Sequence, residues 1–356
     1  MDKKTLNKII LVSAPRNSGI GAFGLKLKSE LEKKAMIDYI EIKPTWKGIF
    51  SLWLKLWNRD NDIIFNLGYT SFGKSMYKNF LNFLMLKLYS ILNPSQSIIL
   101  HDSIDTSNLK YSGYHMSGLL KIVGTIATIM LKNYNIFVFS NIFYDVLEKK
   151  YGFNSVNYFP FPTESELLRE CYSFEGEPLL LNLGYIAPYK GLDILPEIKS
   201  KLDNIKTIIV GNFHETYLST KNGLKFKDDL ITLMDKSGVM VVGYLEEDQL
   251  IELVKKYRTI AILPYISGYN ASSSALFFVG LGIPVVATNL ELFLEIKGNG
   301  AGIVLVDRTP ESFAHAIGMI LNSHNLTESL IENDRKYCAQ YSLKNFSEFL
   351  ITHLFN

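Results

Sequence analysis

Short, almost wholly apolar runs punctuate this chain, and between them apolar residues return every three or four positions. Runs of the first kind predict strands buried on both faces, and spacing of the second kind predicts helices. In the first half the runs are Lys8–Ser13, Ile63–Leu67, Ser97–Leu100, Ile136–Ser140 and Val156–Phe159. In the second they are Leu179–Leu183, Lys206–Val210, Val239–Val242, Thr259–Leu263, Pro284–Ala287 and Gly302–Val304. Phe23, Leu27 and Leu31, each four apart, place a helix directly after the first run. Such alternation predicts an α/β protein with two parallel sheets, each covered by helices on both faces. No short sequence repeat of fixed period is present, which argues against a solenoid. The segment from Phe161 to Glu177 mixes prolines, acids and a glycine, as a linker does. The expected organisation is a first domain over residues 1–165, a second over 166–335, and a C-terminal helix over 336–356 returning to the first domain. Ligands of open parallel sheets bind beyond the carboxyl ends of the strands, so two facing sheets would place a site in the cleft between them.

The 356 residues exceed what a single core normally serves, in keeping with two domains. With 47% hydrophobic and 20% charged residues the chain is globular rather than disordered or collagenous. Cys171 and Cys338 can form neither a disulfide framework nor a zinc site by spacing, which suits a reducing, cytoplasmic compartment. The apolar stretch before Pro15 is too short for a signal-peptide core, so export is not expected. Phe80–Leu92 and Ser117–Leu131 are broken by Lys87 and Lys121 and fall short of a membrane span.

Charge changes this picture. Residues 1–160 hold 20 Lys and Arg against 11 Asp and Glu, and residues 161–356 hold 17 against 24, so the halves carry +9 and −7. The basic half suits an anionic partner, either a membrane surface or a phosphorylated acceptor, although it could equally attract the acidic half. Trp46, Phe50, Trp53, Leu54 and Trp57 recur at helical spacing beside Lys47 and Lys55. That pattern fits a helix lying in a bilayer interface, peripheral on the inner face of the membrane, or a helix packed on its own core. Nothing in it suggests a nucleic-acid partner.

Three loops offer anion-binding chemistry. Arg16–Gly24 follows the first strand and opens the first helix, where Gly19, Ile20 and Gly21 bring backbone amides close to a ligand. Gly19, Gly21 and Gly24 stand at G-x-G-x-x-G spacing, which alone is weak evidence for a dinucleotide site. Gly184–Leu195 carries Lys190 where loop meets helix, a mobile cation suited to a departing phosphate. Ser267–Thr288 crowds Asn270, Ala271, Ser272, Ser273 and Ser274 at a helix start ahead of the apolar Ala275–Leu281. One serine suffices for an N-cap, so this surplus of donors points to a ligand. Asp60, Asn61 and Asp62 form an Asp-x-Asp string, but it precedes a strand instead of ending one and reads as a solvated turn rather than a metal site.

Taken together, these segments resemble glycosyltransferase family 4, a group with the GT-B fold of two Rossmann-like domains facing a central cleft. SGIGAFGLKLKSEL resembles the family's first glycine loop, His101-Asp102 its N-domain motif, FVFSNIFYDVLEKKYGF the strand closed by a serine, and GYIAPYKGLDIL the first loop of the donor domain. IIVGN, the stretch Gly238–Tyr265 and the segment from Gly298 to Leu321 resemble later family segments in the expected order. The resemblance implies transfer of a sugar, with retention, from a UDP- or GDP-sugar as co-substrate, with no further cofactor and no metal. It implies His101 and Lys190 as catalytic residues, His101 lining the sugar pocket, and Gly243, Tyr244, Leu245 and Phe277 beside the base and ribose. The acceptor expected from the charge pattern is lipid-linked or a glycan at the membrane surface. Three positions depart from the family pattern: Tyr185 stands for a phosphate-binding arginine, and Tyr269 and Phe277 stand for two glutamates, the second of which holds the ribose. A sugar-nucleotide epimerase of the same architecture would need more acidic and histidine groups than His101 with Asp102 supply. A non-catalytic relative would keep the fold without turnover.

Overall fold

The computed structural model describes residues 8–16, 18–57, 61–69, 71–72, 76–93, 96–101, 118–163, 173–202, 205–213, 218, 220–268 and 272–354. The chain divides into two compact units. One comprises the described residues up to Phe161 together with Leu343–Asn356, and the other runs over Pro162–Ser342.

The first unit holds β1 (Lys8–Ser13), β2 (Met36–Glu41), β3 (Asp62–Leu67), β4 (Ser97–Leu100), β5 (Asn135–Val138) and β6 (Val156–Tyr158). Its helices are α1 (Gly19–Glu32), α2 (Trp46–Trp57), α3 (Met76–Leu92), α4 (Gly118–Met130) and α5 (Asn141–Asp145). All strands pair in parallel, in the order β2-β1-β3-β4-β5-β6. Ile10, Val12, Ile63, Phe65 and Ile98 face α2, α3 and α4, while Ile9, Leu11, Ile64 and Ile99 face α1 and the C-terminal helix. Alternate residues of one strand thus serve two cores, which is why these runs lack a polar face.

The second unit holds β7 (Pro178–Leu183), β8 (Lys206–Val210), β9 (Met240–Val242), β10 (Arg258–Leu263), β11 (Val285–Thr288) and β12 (Ile303–Val306). Its helices are α6 (Leu195–Ser200), α7 (Lys221–Ser237), α8 (Glu247–Lys256), α9 (Ser273–Gly280), α10 (Glu291–Gly298), α11 (Pro310–Asn322) and α12 (His324–Gln340). The sheet is again parallel, ordered β12-β11-β10-β7-β8-β9. The last helix, α13 (Leu343–Leu354), packs its Phe346 and Leu350 into the first unit's core, and Lys34 pairs with Glu348 at 2.7 Å. The division therefore falls at Ser342, because α12 runs unbroken through residue 335 and stays with the second unit.

One strand has no counterpart in the sequence reading. β2 is an edge strand, partly exposed along its length and interrupted by Asp38 and Glu41, so it lacks the apolar run that marks its neighbours. Three predicted strands start one residue early: β9, β11 and β12 begin at Met240, Val285 and Ile303, after Val239, Pro284 and Gly302. Cys338 is a free thiol buried against the Val279 carbonyl, and desolvation pushes it up to about 11, so it is not poised to react. Cys171 lies outside the described residues, as do Asp60, Asp102, Tyr269, Asn270 and Ala271.

Candidate functional site

Each sheet reverses its direction of growth once, and such a switch point is where parallel sheets open a crevice. In the first unit the reversal lies between β1 and β3, in the second between β7 and β10. The residues singled out in the sequence gather beyond the carboxyl ends of these strand pairs.

In the first unit α1 begins directly after β1. Ser18 caps it, accepting from the Gly21 amide at 3.1 Å and donating to the Pro15 carbonyl at 2.6 Å. None of the glycines here has positive φ, so their use is in close packing rather than in a left-handed turn. A side chain on Gly21 would overlap the Pro15 carbonyl, and one on Gly24 would overlap the Ser13 hydroxyl. Both let the helix lie close on β1. Around Gly19 there is nothing within 4 Å of a Cβ position, so the first residue of α1 borders open space.

Asn66, fully buried at the penultimate position of β3, ties this corner together. Its Nδ2 donates to Ser13 Oγ at 2.9 Å and to the Ile20 carbonyl at 2.8 Å. A carbonyl can only accept, so the amide orientation is fixed and Oδ1 faces His101 Nε2 at 2.6 Å. His101 follows β4 and sits among the rings of Phe23 at 4.9 Å and Phe139 at 5.1 Å. Desolvation there pushes its imidazole down to about 3. The ring is therefore neutral at pH 7 and carries its proton on Nε2, donated to Asn66.

This depressed value has a consequence for stability. Between its ordinary value of 6.5 and about 3, the unfolded imidazole takes up a proton that the folded one refuses. Stability is therefore full above about pH 6.5 and falls as the pH is lowered towards 3. In thermal melts from pH 8 to pH 4, His101→Gln is expected to lose less stability on acidification than the wild type. Parallel curves for the two proteins would contradict the buried neutral imidazole.

In the second unit Lys190 ends a short 3-10 turn, Pro188–Lys190, after β7, and Gly191 closes that turn in the left-handed region at φ 64°. A side chain on Gly191 would overlap the Pro264 carbonyl. Arg308 clamps the same loop, donating to the Pro264 carbonyl at 3.0 Å and the Gly191 carbonyl at 3.2 Å and pairing with Asp193 at 2.6 Å. Its guanidinium is thereby committed, so it does not replace the family arginine for which Tyr185, an exposed residue here, stands.

Lys190 itself is only 6% exposed. Its ammonium donates to the Tyr265 hydroxyl, and no carboxylate pairs with it among the described residues. Tyr265 lies 3.3 Å from Ser272 Oγ, and Ser272 caps α9 by accepting from the Ala275 amide at 3.2 Å. Either hydroxyl can donate in that contact, so Lys190, Tyr265 and Ser272 form one chain of polar groups. A Cβ built on Gly184 would lie 2.8 Å from Ser274 Oγ and 3.5 Å from Lys190 Nζ. Lysine, two serines and a helix start thus converge on the backbone at the end of β7. Two of the expected five residues of this helix start, Asn270 and Ala271, lie outside the described residues.

The remaining expected positions are more dispersed. Gly243, Tyr244 and Leu245 follow β9, the edge strand two places from β7, and the Tyr244 hydroxyl meets Glu246 at 3.4 Å. Phe277 is half-buried on α9, one turn beyond Ser273 and Ser274. Asp62 opens β3 at its amino end, the edge opposite the loops that gather here. No group of three His, Cys, Asp or Glu side chains among the described residues is placed to hold a metal ion.

Residues 165–337 match the family model for Glycosyl transferases group 1. The matched stretch takes in Lys190, Tyr265 and the start of α9. Among solved structures, HepE of Anabaena in complex with UDP and glucose shares 12% identity over 98% of this chain and 99% of its own, with a TM-score of 0.71. Sucrose-phosphate synthase of Thermosynechococcus elongatus shares 14% identity over 98% and 99%, with a TM-score of 0.74. A glycosyltransferase of Rickettsia africae shares 15% over 98% of each chain, with a TM-score of 0.68. At such identities the likeness is one of fold, the two-domain α/β GT-B fold. No curated protein matches the sequence.

Asn66, Tyr265 and Arg308 were not singled out from the sequence. A signal did exist for the first. Asn66 and Asn182 are lone amides inside apolar runs, each penultimate in its strand, and a buried amide must find partners. Asn182 donates to the Ile262 carbonyl at 2.7 Å, bracing β7 on β10 at the second switch point.

Proposed function

We propose that this protein is a retaining glycosyltransferase of family 4 that moves a sugar from a nucleotide diphosphate sugar to a lipid-linked acceptor or a glycan at the membrane surface. The observation that carries this reading is the buried Lys190 ammonium beside the capped start of α9, without a carboxylate partner among the described residues. Breaking a glycosyl phosphate bond develops negative charge on the leaving diphosphate, and a preorganised cation with helix-start amides stabilises that charge as it forms. Ser272, Ser273 and Ser274 add donors there, and Asn270 and Ala271, which precede them in sequence, are assigned to the same site. Lys190 supplies the positive charge, so no metal is needed for this step.

HepE was solved with UDP and with UDP-glucose, which favours UDP over GDP as the nucleotide. Two strand spacings of about 5 Å separate the diphosphate position from the loop after β9, where Gly243, Tyr244 and Leu245 face the base. Phe277 packs against the ribose in place of the carboxylate that this chain lacks. In this reading His101 and the helix start at Gly19, Ile20 and Gly21 serve sugar binding, the Gly21 amide itself being taken by the Ser18 cap. The protein works in the cytoplasm, peripheral to the membrane.

A thermal-shift series with UDP, GDP, UMP and UDP-sugars tests the donor assignment. Ligand at one hundred times its dissociation constant stabilises the fold by about 2.7 kcal/mol. UDP is expected to raise the melting temperature more than UMP does, because the second phosphate engages Lys190. A series in which no diphosphate nucleotide shifts the transition would remove the reading.

A further inference from the structure

Helices α2, α3 and α4 form one layer on one face of the first sheet, joined by Trp53 donating to Asn82 at 2.8 Å and by Tyr89 donating to the Leu56 carbonyl at 3.4 Å. Each buries apolar residues against the strands: Leu52 and Leu56 on α2, Phe83 and Leu86 on α3, and Ala127 on α4 with Leu131 just after it. A helix that serves only its own core is polar on the other side. These three are not.

Their outward sides carry a second apolar stripe at helical spacing, with Phe50 and Leu54, Leu81 and Leu88, and Ile122 and Ile126 all exposed. Of the 23 large hydrophobic side chains exposed among the described residues, 13 lie on these helices, so the exposure is concentrated rather than scattered. No Asp or Glu occurs in any of the three. Lys47 and Lys55 are exposed on α2, and by helical spacing Lys78 and Lys87 leave α3 on opposite flanks of its outer stripe.

We propose that this three-helix face is a docking surface for an anionic lipid bilayer. Among the described residues no helix is long and apolar enough to cross a membrane, so these lie along it. Their outer stripes enter the boundary between headgroups and acyl chains, and the lysine stems run beside them to place ammonium groups at the phosphates. A second copy of the chain fits less well. A two-fold contact through this face would set the lysines of one copy against the same lysines of the other, with no carboxylate on the face to meet them. The inference deepens the proposed membrane-surface acceptor and rests on that reading only for its use. Vesicle binding is measured without turnover, so the two can fail separately.

Co-sedimentation of the full chain with vesicles of phosphatidylcholine alone, or with about one third phosphatidylglycerol, at low salt tests it. Binding to the anionic vesicles is expected to exceed binding to the neutral ones by about 10-fold or more. The variant Phe50→Ser/Leu88→Ser/Ile126→Ser alters only exposed positions and is expected to lose binding by about 10-fold while keeping its melting temperature and its response to UDP. Lys47→Gln/Lys55→Gln should narrow the difference between the two vesicle types. Absence of anionic-vesicle binding, binding unchanged in the serine variant, or a dimer in solution that the serine variant dissolves without any vesicle affinity would each overturn the proposal.

Discussion

Lys190→Ala is expected to lower kcat by about 100-fold, with kcat/KM falling in step, because the lost cation acts on charge that develops only in the transition state. The position makes a clean test possible. Lys190 is buried, so Ala also leaves a void, whereas Lys190→Met keeps most of the volume and removes only the charge. Both variants should lose turnover alike while differing in melting temperature. Lys190→Arg should not restore the rate, since a planar fork cannot take the place of an ammonium held by the Tyr265 hydroxyl and close to Ser274. Steady-state kinetics with product nucleotide as the readout decides the matter, and wild-type rates in the Met variant would remove Lys190 from the mechanism.

Asn66→Asp is expected to have the second largest effect, through His101. The wild-type amide donates twice and accepts once, and these roles hold β1, the start of α1 and the imidazole in one arrangement. A carboxylate cannot donate to the Ile20 carbonyl, and the loss of that bond costs about 0.5–1.5 kcal/mol. The new negative charge also favours protonation of the adjacent imidazole. The His101 titration, pushed down to about 3 in the wild type, should move up towards its ordinary range. Proton NMR of the imidazole follows this directly, and turnover should gain an acidic limb as the ring takes up a proton. Asn66→Leu, which removes the bond without adding charge, should destabilise the fold but leave the titration low. If both variants behave alike, Asn66 serves structure only.

Much of this architecture is legible in the sequence because parallel strands covered on both sides must be apolar at every position. The runs at Lys8–Ser13, Leu179–Leu183 and Thr259–Leu263 carry that mark, whereas β2, half covered at a sheet edge, carries Asp38 and Glu41 and does not. The loop residues Lys190 and Ser272–Ser274 are legible for a different reason. A helix start needs one capping hydroxyl, and a surplus of donors beside a glycine turn has little structural use. Tyr265 and Arg308 are another matter. Their roles depend on β10 lying next to β7 although about 80 residues separate them, a consequence of strand order rather than of local pattern. The outer stripes of α3 and α4 stayed hidden because a helix apolar on two opposite sides reads in sequence as a buried one. Only the packing of Phe83 and Leu86 inward shows that Leu81 and Leu88 are left facing out.

The central claim is that the second unit grips a diphosphate through Lys190 and the start of α9. Calorimetric titration of the wild type and of Lys190→Met with UDP and with uridine tests it most directly. The account predicts that the wild type binds UDP at least about 100-fold more tightly than uridine, that Lys190→Met loses about 10-fold or more for UDP, and that uridine binding is the same in both. Equal loss for UDP and uridine, or unchanged UDP affinity in the variant, would contradict it.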